Sequence, residues 1–279
     1  MSTVAPPDLD AVIAELAEHD DAELLAGGTD FMVEVNHGHR RPTRVVSLHR
    51  VAELKEWSRV GDRLIIGAGV THARLEAAPF TELVPVLAQS ARTVGSPQIR
   101  NAGTIGGNLA TASPAGDTLP PLAALDASIT LAGPAGRRTL ALEEYIIGPK
   151  RTSRDRTEVI VSVEVPVLEG PQEYLKVGTR NAMVISVAGV AFVVDRGGRN
   201  VRCALGSVGP TPIRAREAEA WVAGLIDWGS STVAEGVAVE FGARVAAASL
   251  PIDDHRSTAA YRRHAIGVCA RRALVRCFP

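Results

Sequence analysis

Residues 101–117 read NAGTIGGNLATASPAGD, and eleven of these seventeen residues are Gly, Ala, Ser or Thr. The stretch contains no aromatic or cationic side chain, and its one acid is Asp117. A hydrophobic core would need larger side chains here, and a flexible linker would not need Ile105 and Leu109. We therefore expect a molecule other than the chain itself to lie against this backbone.

The composition excludes several classes of partner. A length of 279 residues favours one or two domains, each with its own core. Because 30 Lys and Arg face 31 Asp and Glu, no bulk field attracts nucleic acid or an anionic membrane. The sequence shows no apolar run of membrane-spanning length and no signal-peptide pattern at its N-terminus. We expect a cytoplasmic protein that binds neither nucleic acid nor membrane.

The cysteines are few and scattered. Cys203, Cys269 and Cys277 are too far apart for a disulfide framework or a Cys-x-x-Cys metal site. A four-cysteine iron–sulfur cluster cannot be built from this chain alone. We expect the three thiols to be small core residues.

The first part of the chain alternates helix and strand patterns. Asp8 is a typical N-cap, and Leu9, Val12, Ile13 and Leu16 follow at helical spacing. Strands are expected in AELLAGG (22–28), TRVVSL (43–48) and RLIIGAGV (63–70), and a hairpin in SITLAG (128–133) and RRTLAL (137–142).

The second part has strands followed by helices, which indicates an α+β unit. LEGPQ (168–172) is the expected boundary. Four strand patterns are EVIVSVEVP (158–166), EYLKVG (173–178), MVISVAGVAFVVD (183–195) and VRCALGSVG (201–209). Three helices are expected at about 214–225, 231–249 and 257–276.

Two glycine pairs are the candidate binding elements. Gly27–Gly28 follows an expected strand, and Gly106–Gly107 lies in the opening stretch. Each pair offers consecutive N–H groups without a Cβ in the way, an arrangement that holds a pyrophosphate. Together they indicate a diphosphate held between two loops, with Asp117 accepting from a ribose hydroxyl. The alternative interpretation is that both glycine pairs only form tight turns and that Asp117 is the N-cap of a helix at 118–126.

GAGVTH (67–72) carries His72 where a dinucleotide fingerprint needs glycine, so we expect a strand-end turn there.

Several motifs in register resemble the flavin-binding medium subunits of molybdenum hydroxylases, the FAD proteins of carbon monoxide dehydrogenase and bacterial xanthine dehydrogenase. The motifs are AGGTD (26–30), RNAGTIGGNLATASPAGD (100–117), EVIVSVEVP (158–166), KVGTRNAMVISVAGVA (176–191), ALGSVGPTPIRA (204–215) and HRSTAAYRRHAIGVCARRAL (255–274). The resemblance implies an α+β protein. Its PCMH-type FAD-binding unit would span 1–170, as two α/β subdomains at about 1–54 and 55–170. A C-terminal α+β domain at 171–279 would carry an antiparallel sheet and helices.

The resemblance also implies which residues contact FAD. The family's two glycine loops match 26–30 and 104–108, and Ile185 would face the isoalloxazine. The implied set is Ala26, Gly27, Gly28, Thr29, Asp30, Val94, Thr104, Ile105, Gly106, Gly107, Asn108, Asp117, Ile160, Lys176 and Ile185. Without the resemblance, Val94 and Ile160 would be core residues and Lys176 a solvated strand lysine.

We assign no catalytic or metal-ligating residue to this chain. It has no nucleophile elbow, no HExxH and no paired-carboxylate motif, and His37-Gly-His39 lies in a basic loop. The resemblance implies that a molybdopterin large subunit and a [2Fe–2S] small subunit feed electrons to this FAD, which passes them to NAD or another acceptor. It favours a xanthine-dehydrogenase-like enzyme, with a carbon monoxide or aldehyde dehydrogenase medium subunit as the alternative.

Two other classes of protein remain as alternatives. A stand-alone FAD oxidoreductase would usually carry a covalent His or Cys attachment near the first glycine loop, and the sequence shows none there. A non-enzymatic subunit that has lost its flavin would have no need of Gly27, Gly28, Gly106 and Gly107.

Overall fold

A computed structural model, which describes residues 2–234 and 236–279, shows three sheets of three to five strands, two two-stranded sheets and the helices that cover them. The strands are β1 Ser2–Val4, β2 Ala22–Leu25, β3 Arg44–Ser47, β4 Trp57–Val60, β5 Arg63–Gly67, β6 Ser128–Gly133, β7 Gly136–Ala141, β8 Ile146–Gly148, β9 Arg151–Thr152, β10 Val159–Pro166, β11 Gln172–Val177, β12 Ala188–Asp195, β13 Asn200–Gly206, β14 Ile213–Arg214, β15 Ile226–Asp227 and β16 Thr232–Val233. The helices are α1 Leu9–Glu18, α2 Phe31–Asn36, α3 His72–Leu75, α4 Phe80–Leu83, α5 Pro85–Arg92, α6 Pro97–Ala102, α7 Ile105–Thr111, α8 Leu119–Ala124, α9 Leu142–Tyr145, α10 Arg216–Ala223, α11 Val237–Ala247 and α12 Ala259–Cys277.

The N-terminal sheet is parallel, with β3 between β1 and β2. Its first helix, α1, begins as predicted, because Oδ1 of Asp8 accepts a 2.9 Å hydrogen bond from the N–H of Ala11. The loop after β2 leaves the sheet at the carboxyl edge of its strands, the edge at which open α/β sheets bind ligands. The fold therefore presents residues 26–30 at that edge.

The second sheet is antiparallel, in the order β4-β5-β10-β6-β7. The predicted hairpin is β6 and β7, and β10, formed by EVIVSVEVP, lies between β5 and β6. The turn after β5 confirms the structural interpretation of GAGVTH. A Cβ at Gly67 would lie 2.3 Å from the carbonyl oxygen of Leu54, so glycine is needed there for close backbone packing.

The third sheet, β11-β12-β13-β14, is antiparallel and buried on both faces. Ala191 and Val193 pack into the core of the second sheet, whereas Val190, Phe192 and Val194 pack into a separate core with α11 and α12. Successive side chains point to opposite faces of a strand, so two covered faces explain why β12 shows no polar alternation. The predicted α+β class is confirmed.

Two of the three C-terminal helices, α10 and α12, begin and end within about two residues of their predicted bounds. The third, α11, begins at Val237 and not at 231, because Thr232–Val233 forms the short strand β16. All three cysteines are buried, as expected. Within residues 2–234 and 236–279, no helix has the length and apolar character needed to cross a membrane.

Candidate functional site

The first glycine loop, residues 26–30, has backbone donors that are not used within the protein. Across the described residues, no acceptor pairs with the N–H groups of Gly27, Gly28, Thr29 or Asp30. Gly28 has φ of +72°, a left-handed conformation that glycine adopts at little cost. The loop is only partly buried. Consecutive unpaired N–H groups around a left-handed residue form an anion-binding concavity.

The second glycine loop, residues 104–108, is different. The N–H of Ile105 donates to the Val70 oxygen at 3.0 Å, and that of Gly106 to the Ala68 oxygen at 2.8 Å. The N–H of Gly107 donates at 3.0 Å to Oγ1 of Thr104, the N-cap of α7. The expectation that both loops offer free N–H donors is therefore wrong for this loop. Its donors attach α7 to the turn after β5.

The first loop packs against the residues that flank the second loop. A Cβ on Gly27 would lie 1.9 Å from the Ala102 oxygen, so the backbones meet where only glycine fits. A second contact joins Oγ1 of Thr111 on α7 to Oδ2 of Asp30 at 3.2 Å. The structure thus brings together two segments that are separated by about seventy residues in the sequence. Their contact is the arrangement that a dinucleotide held between two loops requires.

Neighbouring glycines of the second loop face different surroundings. A Cβ on Gly106 would lie 2.6 Å from Cβ and 2.7 Å from the oxygen of Ala68. A Cβ on Gly107 would meet only Oγ1 of Thr104, at 3.1 Å, and otherwise open space. Gly106 is therefore required for packing inside the protein. Gly107 leaves a bare surface that a ligand can approach.

Asp117 lies in a buried polar cluster. Lys176 Nζ donates to Oδ2 of Asp117 at 2.6 Å, and the Tyr174 hydroxyl donates to Oδ1 at 3.1 Å. The Asp117 and Lys176 side chains are each 8% exposed. Burial raises the pKa of the Asp117 carboxyl, and the contacts with Lys176 and Tyr174 oppose that shift. The interpretation of Asp117 as a helix N-cap is wrong, because the cap of α8 is Thr118, without a side-chain cap bond.

Sequence reasoning missed Tyr174. It lies two residues before Lys176 on β11, so both side chains point to the same face of the strand. Gly189 on β12 lies opposite Lys176 and diagonal to Tyr174, and a Cβ there would lie 3.1 Å from the Tyr174 hydroxyl. The missing side chain leaves room for the hydroxyl to reach Asp117. Period-two spacing from Lys176 was the signal that could have identified Tyr174.

The four remaining predicted residues lie in four different settings. Val94 is half-buried after α5, and its carbonyl oxygen accepts from Nη1 of Arg100 at 3.3 Å. Ile160 is 6% exposed and belongs to the hydrophobic core around the second sheet. Ile185 is 55% exposed in the segment between β11 and β12. Asn108, on the second loop, accepts from the Thr118 hydroxyl at 2.6 Å through its amide oxygen.

The residues fit a dinucleotide better than a metal ion. The first loop supplies unpaired donors, the second supplies open backbone at Gly107, and a buried carboxylate lies nine residues after that loop. Among the described residues, no three His, Cys, Asp or Glu side chains are grouped as metal ligands. A bound dinucleotide such as FAD would place its negative charge where unpaired N–H groups are available.

Two family models match almost the whole chain. Residues 1–168 match the FAD binding domain in molybdopterin dehydrogenase. Residues 173–277 match the CO dehydrogenase flavoprotein C-terminal domain. The two matches follow one another in the order of those domains.

Individual proteins match over similar lengths. Over 214 residues the chain is 33% identical to the xanthine dehydrogenase FAD-binding subunit of Escherichia coli O157:H7, covering 73% of each. Over 276 residues it is 30% identical to the carbon monoxide dehydrogenase medium chain of Hydrogenophaga pseudoflava, covering 97% of this chain and 94% of that relative. A chain of quinoline 2-oxidoreductase from Pseudomonas putida 86 superposes with a TM-score of 0.92 at 27% identity, covering 99% of this chain and 96% of that one.

Proposed function

This chain belongs to the FAD-binding subunits of the molybdopterin dehydrogenases, and from that premise we propose how it holds its cofactor and where its electrons travel. FAD is the cofactor of this family, which comprises molybdenum hydroxylases of the xanthine and carbon monoxide dehydrogenase type. When bound, FAD supplies the redox chemistry, accepting and passing on electrons, while the protein supplies binding and orientation.

The first glycine loop binds the diphosphate of FAD. The observation that carries this proposal is the row of unpaired N–H groups from Gly27 to Asp30, beside the bare surface at Gly107. The rest of residues 26–30 and 104–108 completes the two walls of the site. Backbone donors of this kind suit an anion because they are fixed before the ligand arrives.

Other residues orient the cofactor. Asp117 uses its remaining acceptor capacity for a ribose hydroxyl, since an ionised carboxylate has about four lone-pair sites and two are already occupied. Lys176 holds Asp117 in place and also donates to the Thr93 oxygen at 3.0 Å. Val94, Ile160 and Ile185 provide apolar contacts for the ring systems.

The electrons enter from partner subunits. All three cysteines of this chain are buried, and a [2Fe–2S] or [4Fe–4S] cluster requires four ligands. The iron–sulfur clusters therefore belong to a separate [2Fe–2S] small subunit, and the molybdopterin belongs to a large subunit. This division agrees with the Hydrogenophaga relative, which is itself a medium chain. We assign to this chain the binding of an FAD that would carry electrons to NAD or another acceptor, in a complex of the xanthine dehydrogenase type.

Titration of the purified, flavin-free chain with FAD tests the cofactor site. We expect saturation at one FAD per chain, and full release of the flavin into the supernatant when the protein is denatured with acid. We expect non-covalent attachment because residues 26–30 contain no His or Cys that could bond to the flavin. Flavin that remains in the acid precipitate would contradict this proposal and favour a covalently flavinylated stand-alone oxidoreductase.

A further inference from the structure

The imidazole of His72 is a buried titratable group that makes no hydrogen bond with another described residue. His72 opens α3 and is 3% exposed. Its backbone N–H donates to the Gly103 oxygen at 3.0 Å, immediately before the second glycine loop. Its Nδ1 is shielded from solvent and has no hydrogen-bond partner within residues 2–234 and 236–279. Such a group needs an explanation, since nearly all buried polar atoms in proteins are paired.

The ring faces the place where the two loops meet. The position of a Cβ on Gly103 would lie 3.2 Å from Cδ2 of His72 and 3.3 Å from Oγ1 of Thr29. Cδ2 of His72 and the Thr29 hydroxyl therefore both pack close to Gly103, which places the imidazole beside the first loop. Thr29 also carries one of the unpaired backbone N–H groups of the first loop. Nε2 is bonded directly to Cδ2, so it belongs to the same edge of the ring.

The surroundings keep the imidazole neutral and locate its proton. Burial lowers the pKa of His72 to about 4, and the positive charge of Arg100 adds to that effect. Arg100 is itself paired with Glu76 at 2.9 Å, and Asp30 is the acid of the first loop. A proton on the shielded Nδ1 would be a buried donor without an acceptor, which is costly. The favoured neutral tautomer therefore has its proton on Nε2.

We propose that His72 is a further binding residue for the diphosphate of the dinucleotide, donating from Nε2–H beside the Thr29 hydroxyl and the N–H groups of the first loop. This inference rests on the proposed FAD site. A neutral imidazole can donate to a phosphate oxygen throughout the neutral pH range without first taking up a proton. His72 thereby adds a side-chain donor to a site otherwise built from backbone.

Calorimetric titration of the flavin-free, full-length chain with ADP and with riboflavin tests this inference. His72→Leu removes the donor and should weaken ADP binding about tenfold or more, as expected for a lost hydrogen bond to a charged group. His72→Gln retains an amide N–H near the position of Nε2 and should stay within about threefold of the wild type. Riboflavin, which has no phosphate, should bind equally to all three proteins. His264→Leu, at an exposed position on α12, is the matched control.

Two results would overturn the inference. A folded His72→Leu protein with wild-type ADP affinity would show that the imidazole does not contact the diphosphate. A His72→Gln protein as weak as His72→Leu would show that the ring acts through packing instead. If His72→Leu does not fold, nitrogen NMR of the wild-type protein replaces the variant. We expect an Nε2–H tautomer whose Nε2 signal shifts when ADP is added. An Nδ1–H tautomer, or an Nε2 signal that does not change with ADP, would refute the inference. A wild-type chain that binds neither ADP nor FAD would contradict the proposed function itself.

Discussion

Alanine at Gly106 should lower stability, whereas alanine at Gly107 should lower FAD affinity, although the two positions are adjacent. At Gly106 the new methyl group would lie 2.6–2.7 Å from Ala68, so α7 has to move away from the turn after β5. Overpacking of this kind costs about 1–3 kcal/mol of unfolding free energy. Each kcal/mol corresponds to roughly 2–4 °C in melting temperature for a protein of about 150–250 residues.

At Gly107 the methyl group meets only Oγ1 of Thr104, at 3.1 Å. Replacing glycine by alanine inside a helix gains about 0.5–1 kcal/mol, which offsets that tight contact. We therefore expect Gly107→Ala to unfold within about 1 kcal/mol of the wild type. The same methyl group projects onto the surface proposed for FAD, so FAD affinity should fall about tenfold or more, equivalent to about 1.4 kcal/mol.

The assay is urea unfolding of the flavin-free proteins together with FAD titration followed by fluorescence. Gly106→Ala should lose stability, and Gly107→Ala should lose FAD affinity while remaining stable. A Gly106→Ala protein as stable as the wild type would refute the close approach to Ala68. Unchanged FAD affinity in Gly107→Ala would place the diphosphate away from the second loop.

Two further predictions concern buried charge. Lys176→Met leaves the Asp117 carboxylate buried without its cation, so the unfolding free energy measured in urea should fall by about 3–5 kcal/mol. The double variant Lys176→Met/Asp117→Leu should regain most of that loss. A double variant as unstable as Lys176→Met would contradict the pairing. Because the pKa of His72 is about 4 when folded and 6.5 when unfolded, the unfolded chain binds the extra proton between these values. The unfolding free energy should therefore fall by up to ~3 kcal/mol as pH drops from 6.5 to 4. His72→Leu should remove that part of the pH dependence. If the slope of unfolding free energy against pH is the same in His72→Leu as in the wild type, His72 is not its source.

Local pattern predicted much of the fold. The Asp8 N-cap and the spacing of Leu9, Val12 and Leu16 predicted α1, and alternation with turn residues predicted the β6–β7 hairpin. These features depend on residues that are close together in the sequence, so the local sequence pattern is enough to predict them. The two glycine loops were also recognisable, because paired glycines at a strand end or helix start are a local signal.

Contacts between residues far apart in the sequence could not be predicted from local pattern. Gly27 is required by Ala102, and Gly106 by Ala68, so their packing roles appear only when the chain is folded. The N–H groups of the second loop find acceptors in Val70 and Ala68, which no local pattern indicates. For the same reason His72, judged as a failed glycine position, was not expected beside the first loop.

Flavin reduction in the isolated chain and in the assembled enzyme tests whether this chain is an electron-transfer subunit that depends on its partners. The FAD-loaded chain is mixed anaerobically with hypoxanthine, an aldehyde or carbon monoxide, alone and with the molybdopterin and iron–sulfur subunits present, and flavin absorbance is followed. We expect no loss of flavin absorbance in the isolated chain, and rapid loss with the cognate substrate once the partner subunits are added. Reduction or steady turnover by the isolated, metal-free chain would refute the assignment as an electron-transfer subunit and identify a self-sufficient oxidoreductase.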